Sequence, residues 1–266
     1  DKVKVVTYHS DIIKQNFLKW IYRPLEKIFL NNVDAIVATS PQYMESSDNL
    51  IKYRDKVTLI PLGIKSEDYS GFRLEWSEKD RLRYCEKGYF LFLGVLRYYK
   101  GLDFLIDAAK LNDLPIVIAG TGVIERELKE RVNKENIKNI IFTGFVTEQE
   151  KIKLIANCQA FIFPSHLRSE AFGVSLIEAQ LFSKPVISCD IGTGTSYVNV
   201  NNETGLVVKP GCANSLNQAM NFLFYNKDES KRLGRNGKRR ANDLFTMNKQ
   251  AKAYYQLYLS LVELKT

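Results

Sequence analysis

Two glutamates eight positions apart, Glu170 and Glu178, lie in the run Pro164-Ser165-His166-Leu167-Arg168-Ser169-Glu170-Ala171-Phe172-Gly173-Val174-Ser175-Leu176-Ile177-Glu178-Ala179. In one continuous helix that spacing would part them by roughly 12 Å and turn them off a common face. They can address one ligand only if Glu170 sits on a loop, and Pro164, Ser165 and Gly173 supply loop residues. Glu170 would then meet one end of a long ligand and Glu178, on the helix, the other. Carboxylates are acceptors suited to paired sugar hydroxyls. The apolar neighbours Leu176, Ile177 and Ala179 argue against a merely solvated Glu178, since an unpaired carboxylate on a buried helix is costly.

Three other junctions carry chemistry of the same kind. The strand-like Tyr89–Leu93 ends in Gly94-Val95-Leu96-Arg97-Tyr98-Tyr99-Lys100-Gly101. Arg97 and Lys100 there suit a diphosphate, Arg as a bidentate clamp and Lys as a point charge; two solvated basic residues at a turn fit the charge pattern equally well. Gly120-Thr121-Gly122 follows the run Ile116–Ala119 but lacks the third glycine and acidic partner of a dinucleotide fingerprint, so it reads first as a tight turn and second as a site wall. Asp190-Ile191-Gly192-Thr193-Gly194-Thr195-Ser196-Tyr197 follows another strand-like run, a small, hydroxyl-rich loop able to hold a sugar or phosphate.

The elements that must position these loops are legible as β-branched runs, each followed by a Gly- or Pro-marked break and a helical stretch. They are Val33–Thr39, Val57–Ile60, Tyr89–Gly94, Pro115–Gly120, Asn139–Gly144, Gln159–Pro164, Lys184–Cys189 and Gly205–Val208, after an opening run at 3–8. Continuous apolar strands alternating with amphipathic helices predict an α/β, doubly wound parallel sheet covered on both faces. Leu102, Leu105, Ile106 and Ala109 mark the sheet-facing side of one such helix. Ligands in such folds sit at the carboxyl ends of the strands, where all four junctions fall.

A polar stretch, 65–87, separates 1–64 from the regular βα series and predicts a linker. Residues 1–64 hold only about three strands, few for an independent sheet. With Asp1 rather than Met at the start, this predicts partner strands upstream. The last stretch, 246–265, carries Met247, Ala251, Tyr254, Tyr255, Tyr258, Leu261 and Val262 at helical spacing and calls for an apolar surface to lie on.

Composition narrows the class. Of 266 residues 45% are apolar and 26% charged, a globular balance. No apolar run approaches a membrane span and no signal-peptide pattern opens the chain, so the sequence predicts a soluble, cytoplasmic protein. Cys85, Cys158, Cys189 and Cys212 show no Cys-x-x-Cys spacing, and free thiols are expected rather than a zinc site or disulfides. The net charge of +8 includes a cluster at Lys14, Lys19, Arg23 and Lys27 beside Phe17, Leu18, Trp20 and Ile21. That cluster reads either as an amphipathic helix against an anionic membrane or as an ordinary solvated face. A second cluster, Lys231, Arg232, Arg235, Lys238, Arg239 and Arg240, reads as a solvated face. Basic charge without aromatic stacking motifs leaves nucleic acid the weakest partner.

Taken together, Gly94 to Gly101, the Glu170/Glu178 pair with Gly173, Pro61-Leu62-Gly63-Ile64 and the 190–197 loop resemble the retaining glycosyltransferases of family 4, over essentially the whole chain. The resemblance implies a GT-B fold: two Rossmann-like domains facing a cleft, the N-terminal one incomplete here. Its parts would be an acceptor-side remnant at 1–64, a nucleotide-sugar donor domain at 65–245, and a C-terminal helix at 246–266 crossing back. It further implies that Arg97 and Lys100 neutralise the donor diphosphate, that Glu178 binds ribose hydroxyls and that Glu170 binds those of the transferred hexose. Gly94, Gly120, Ala171, Phe172, Gly173, Val174 and Thr195 would wall the donor, and His9, in Tyr-His-Ser-Asp, would be the cleft histidine of the acceptor half. Without the resemblance His9 is a strand-end hydrogen bonder. Many relatives carry Arg directly after the first-loop glycine; here that position is Val95.

The family needs no divalent metal or other cofactor, and its partners would be a GDP- or UDP-linked sugar and a glycan or lipid-linked glycan, at the inner face of the membrane, in surface polysaccharide or lipopolysaccharide biosynthesis. Two other classes compete: a nucleotide-sugar epimerase on the same fold, and a non-catalytic sugar-nucleotide-binding module.

Overall fold

A computed structural model describes residues 2–10, 16–69, 75 and 88–265, with the side chains of 16–21 and 68 excepted. Lys14 and Cys85, the side chains of Phe17, Leu18, Lys19, Trp20 and Ile21, and most of the 65–87 stretch lie outside that description.

The described strands form two parallel sheets. β1 (Val5–Tyr8), β2 (Ala35–Ala38) and β3 (Val57–Leu59) make the smaller one in the order β1-β2-β3. Its crossovers are α1 (Asn16–Asn31) and the pair α2 (Pro41–Ser46) and α3 (Asp48–Lys52). Ser40-Pro41 starts α2: the Ser40 hydroxyl accepts the Tyr43 N–H at 3.2 Å and Pro41 occupies a first-turn position that needs no donor.

The larger sheet holds β4 (Phe90–Leu93), β5 (Ile116–Ala119), β6 (Ile140–Gly144), β7 (Ala160–Phe163), β8 (Val186–Cys189) and β9 (Gly205–Val208), in the order β6-β5-β4-β7-β8-β9. The intervening helices are α4 (Leu102–Ala109), α5 (Glu125–Lys134), α6 (Glu148–Asn157), α7 (Val174–Leu181), α8 (Thr195–Val198) and α9 (Ala213–Tyr225), followed by α10 (Lys227–Leu244) and α11 (Met247–Glu263). Every run singled out in the sequence contains a strand, trimmed by a residue or two at most ends.

Strand alternation divides the core. Phe90 and Phe92 join Leu105, Ile106, Ile116, Ile118 and Met220 on one face, while Tyr89 and Leu91 join Val117, Phe161, Phe163, Leu176 and Ile177 on the other. Burying each such side chain contributes about 1.5–3 kcal/mol before conformational entropy is counted.

Strand order locates the crevice. Numbered from its first strand, the sheet runs 3-2-1-4-5-6, so connections depart in opposite directions from β4 and β7, and ligands of open α/β sheets bind outside the carboxyl ends at that reversal. The loops leaving β4 and β7 are those carrying Lys100 and Glu170.

One seam between the two sheets runs through the residues after β3 and the start of α11. The Ile64 N–H donates to Phe245 O at 2.9 Å, the Met247 N–H to Ile64 O at 3.0 Å, and the Gly63 N–H to Gln250 Oε1 at 3.1 Å. From there α11 runs back along the smaller sheet, where the Tyr254 and Thr7 hydroxyls meet at 2.6 Å and Lys265 pairs with Asp34 at 2.9 Å. Much of its apolar side stays in the open, Tyr255 at 65% and Val262 at 49% exposure. A helix of 17 residues is about 25 Å long, and strands of four residues reach only about half as far. No helix among the described residues is long and apolar enough to cross a membrane.

Candidate active site

The β4 loop turns at Gly101 into α4. Gly101 has φ +69°, and a Cβ there would stand 2.0 Å from the Pro164 carbonyl oxygen, so the first site loop packs directly on the second. A Cβ on Gly120 would likewise meet Gly94 O at 2.1 Å. Gly120 and Gly122 therefore let two backbone segments approach closely.

Lys100 ends the short 3-10 turn Tyr98–Lys100 and reaches across the reversal point. Its Nζ donates to Glu170 Oε2 at 2.5 Å and lies over the rings of Phe163 (4.8 Å) and Tyr99 (5.3 Å). Both charged side chains are 12% exposed. The Ser165 hydroxyl adds a 3.3 Å bond to the same carboxylate oxygen. Burial, together with the Glu170 charge, pushes the Tyr99 phenol above its usual range.

Glu170 sits on a loop, as Pro164, Ser165 and Gly173 around it predict. That loop is held through its main chain: Thr193 Oγ1 donates to Glu170 O at 2.7 Å, and the Gly194 N–H to Ala171 O at 2.8 Å. Phe172 is buried against Phe245, and Gly173 caps α7, whose first residue, Val174, is exposed. The 165–173 and 190–195 loops are thus bonded to each other at two points.

Glu178 is buried on α7 and is paired. Its Oε1 accepts from Tyr69 Oη at 2.6 Å and Lys151 Nζ at 2.9 Å, while Lys151 also meets Glu148 at 2.6 Å. Burial pulls the Lys151 ammonium down, but its bonds to Glu148 and Glu178 outweigh that and leave its pKa raised. Lys151 is placed by a capping box: Thr147 Oγ1 accepts the Glu150 N–H at 3.3 Å and Glu150 Oε2 the Thr147 N–H at 2.8 Å.

The remaining candidates stand apart from these two pairs. Arg97 opens the 3-10 turn with its side chain exposed, next to exposed Val95. Thr195 is buried, its hydroxyl turned toward Cys189 O at 3.5 Å. His9 is exposed just beyond β1, at the carboxyl end of the smaller sheet. Lys151 and Tyr69 were not singled out in the sequence, and Thr193 only as part of the 190–197 loop; Val146-Thr147 with Glu150 marks where α6 begins, but a partner 27 residues on leaves no local trace. Among the described residues no cluster of three or more His, Cys, Asp or Glu could hold a metal ion.

The site therefore offers two partly buried ammonium–carboxylate pairs, beside and one helix turn beyond the sheet's reversal point. It can take a diphosphate at Lys100 and hydroxyl groups at the two carboxylates.

Residues 75–240 match the family model described as glycosyl transferases group 1, and residues 1–68 the one described as glycosyltransferase family 4. The chain is 44% identical, over all of its length, to the O-antigen chain mannosyltransferase C of Escherichia coli, of which it spans 71%. It is 46% identical, over 92% of its length, to the D-rhamnosyltransferase WbpZ of Pseudomonas aeruginosa, of which it spans 64%. The sucrose-phosphate synthase of Thermosynechococcus elongatus shares the fold, with a TM-score of 0.80 at 23% identity over 97% of this chain and 68% of that one.

Proposed function

The chain belongs to the glycosyl transferases group 1 family, and from that premise we propose that it transfers a hexose from a GDP- or UDP-linked donor to a glycan or lipid-linked glycan, retaining the anomeric configuration. Its fold is of the GT-B type, shared with glycosyltransferase structures. The observation that carries the proposal is the Lys100–Glu170 pair at the carboxyl ends of β4 and β7. The names of the E. coli and P. aeruginosa relatives support a mannose-like sugar and a role in building surface polysaccharide.

In this proposal Lys100 exchanges one carboxylate for the more highly charged diphosphate, and Arg97, exposed three residues before it, adds a second cation. Both stabilise the charge that grows as the bond from the anomeric carbon to phosphate breaks. Glu170, released from Lys100, accepts the hexose hydroxyls beside the main chain of Ala171, Phe172, Gly173 and Val174. Glu178 accepts the ribose hydroxyls, its orientation fixed by Lys151 and Tyr69. The acceptor oxygen attacks the same face from which the nucleotide departs, its proton passing to the leaving phosphate oxygen, so that glycoside and nucleoside diphosphate are formed. Glu170 then acts as a sugar binder and not as a base. No metal takes part, residues 1–64 serve the acceptor side, and His9 faces the donor sugar. Exposed Tyr22, Leu25, Ile28 and Phe29 on α1, with Arg23 and Lys27 among them, support peripheral contact with an anionic membrane where a lipid-linked acceptor would lie.

Incubation of the full-length protein with GDP- and UDP-hexoses, with and without acceptor, tests the proposal by magnetic resonance of the products. Acceptor-dependent transfer with unchanged anomeric configuration, insensitive to chelator, is expected. An altered sugar formed without acceptor would make the protein an epimerase, and absence of turnover would leave a binding module.

A further inference from the structure

One arginine joins the smaller sheet's unit to both site loops. Arg168, two residues before Glu170, donates from Nη1 to Gly192 O at 2.8 Å, and from Nη2 to Ser46 Oγ at 3.0 Å and Ser46 O at 3.3 Å. Its guanidinium lies 5.5 Å from the centroid of the Tyr43 ring, which is fully buried. The Ser46 hydroxyl itself reaches Gly192 O at 2.8 Å. Ser46 is the last residue of α2, so the guanidinium meets three segments that are far apart in sequence: 41–46, 165–173 and 190–195. The latter two are already bonded through Thr193 to Glu170 and Gly194 to Ala171. A path of two hydrogen bonds therefore links α2 to the main chain of Glu170.

We propose that Arg168 is a positioning residue that locks the Glu170 loop into its working geometry by holding it, through Gly192, against α2 of the smaller unit. The forked guanidinium is required, because its acceptors lie on two different segments and its two Nη groups reach both while its carbon stays 5.5 Å from the Tyr43 ring centroid; a lysine ammonium has no such fork. Arg168 touches none of the groups assigned to the nucleotide. Its loss should therefore reduce turnover while leaving nucleotide affinity intact.

The consequence for turnover rests on the transferase proposal, whereas the latch itself does not, and two measurements keep them separate. In hydrogen–deuterium exchange of the full-length protein without nucleotide, Arg168→Ala should speed exchange in 41–47 and in 190–196, and Ser46→Ala should do so to a smaller degree. Unchanged exchange in these segments would overturn the latch, whatever the protein's activity. In steady-state assays Arg168→Ala and Arg168→Lys should both lower kcat by about 10–100-fold, the scale of a misplaced reacting group. Calorimetric affinity for GDP or UDP and the Tm should stay near wild type. Full recovery of kcat in Arg168→Lys, or a parallel fall in kcat, nucleotide affinity and Tm, would overturn the positioning role. A wild-type protein that transfers no sugar would refute the transferase proposal, while the exchange experiment still decides the latch.

Discussion

The Nζ of Lys100 stands 2.5 Å from Oε2 of Glu170, and the loops carrying them leave two neighbouring parallel strands. A cation meant for a phosphate and a carboxylate meant for hydroxyls neutralise each other until a ligand divides them. With 12% of each side chain exposed, an unpaired charge here would be costly, so the pair is a natural resting state.

Glu170→Gln removes the competitor for Lys100 while keeping an acceptor of the same size. Turnover with a nucleotide sugar is expected to fall roughly 10–100-fold, through lost charge-assisted bonds to the hexose. Free GDP or UDP should bind as well as before or more tightly. Steady-state kinetics and calorimetry on one preparation check both; nearly full turnover in the variant would contradict the role given to Glu170.

At Glu178, Tyr69→Phe removes one donor to a buried carboxylate and Lys151→Met removes the other. Each should lower stability by about 1–3 kcal/mol, the range for an interaction with a buried charged group. The double variant should show coupling rather than simple addition, because both donors share Oε1. Urea denaturation of the four proteins measures this.

His166 gives a pH dependence whose sign follows from its surroundings. Its buried Nδ1 has no hydrogen-bond partner among the described residues, its ring packs edge-on against Phe104, and burial lowers its pKa below the ordinary 6.5. The unfolded chain therefore takes up a proton near pH 6.5 while the folded one stays neutral. Stability is fully present above that pH and is lost as pH falls through the lower folded value. Thermal unfolding between pH 7.5 and 5 should show a smaller loss in His166→Gln than in wild type.

Gly101→Ala would place a methyl 2.0 Å from Pro164 O at φ +69°. Because the two site loops meet there, the cost should exceed about 2 kcal/mol, more than the usual helix or turn penalty. A fall in Tm accompanied by weaker nucleotide binding is the expected outcome.

The strands were legible because each is a short apolar run, and the central ones are buried on both faces, a pattern written in consecutive residues such as Phe90-Leu91-Phe92-Leu93. The loop position of Glu170 was legible too, since on one helix the two carboxylates would stand roughly 12 Å apart and Gly173 breaks the run between them. Strand order was not: the placement of β4 between β5 and β7 depends on pairings 26 and 70 residues away, as Phe90 with Ile116 and Ala160 illustrates. For the same reason the partners of Glu178 stayed hidden, because Tyr69 and Lys151 approach it from 109 and 27 residues away. The last helix shows the opposite case: its periodic apolar residues predicted a covering surface, and the small sheet is too short to provide it.

Calorimetric titration of the wild-type protein with GDP, UDP and their hexose conjugates, beside Lys100→Ala and Glu178→Ala, tests the donor site most directly. Saturable binding of one nucleotide class, weakened about tenfold or more in both variants, is the predicted result. Binding that is absent for every nucleotide, or equal in wild type and both variants, would contradict a donor site built on Lys100, Glu170 and Glu178.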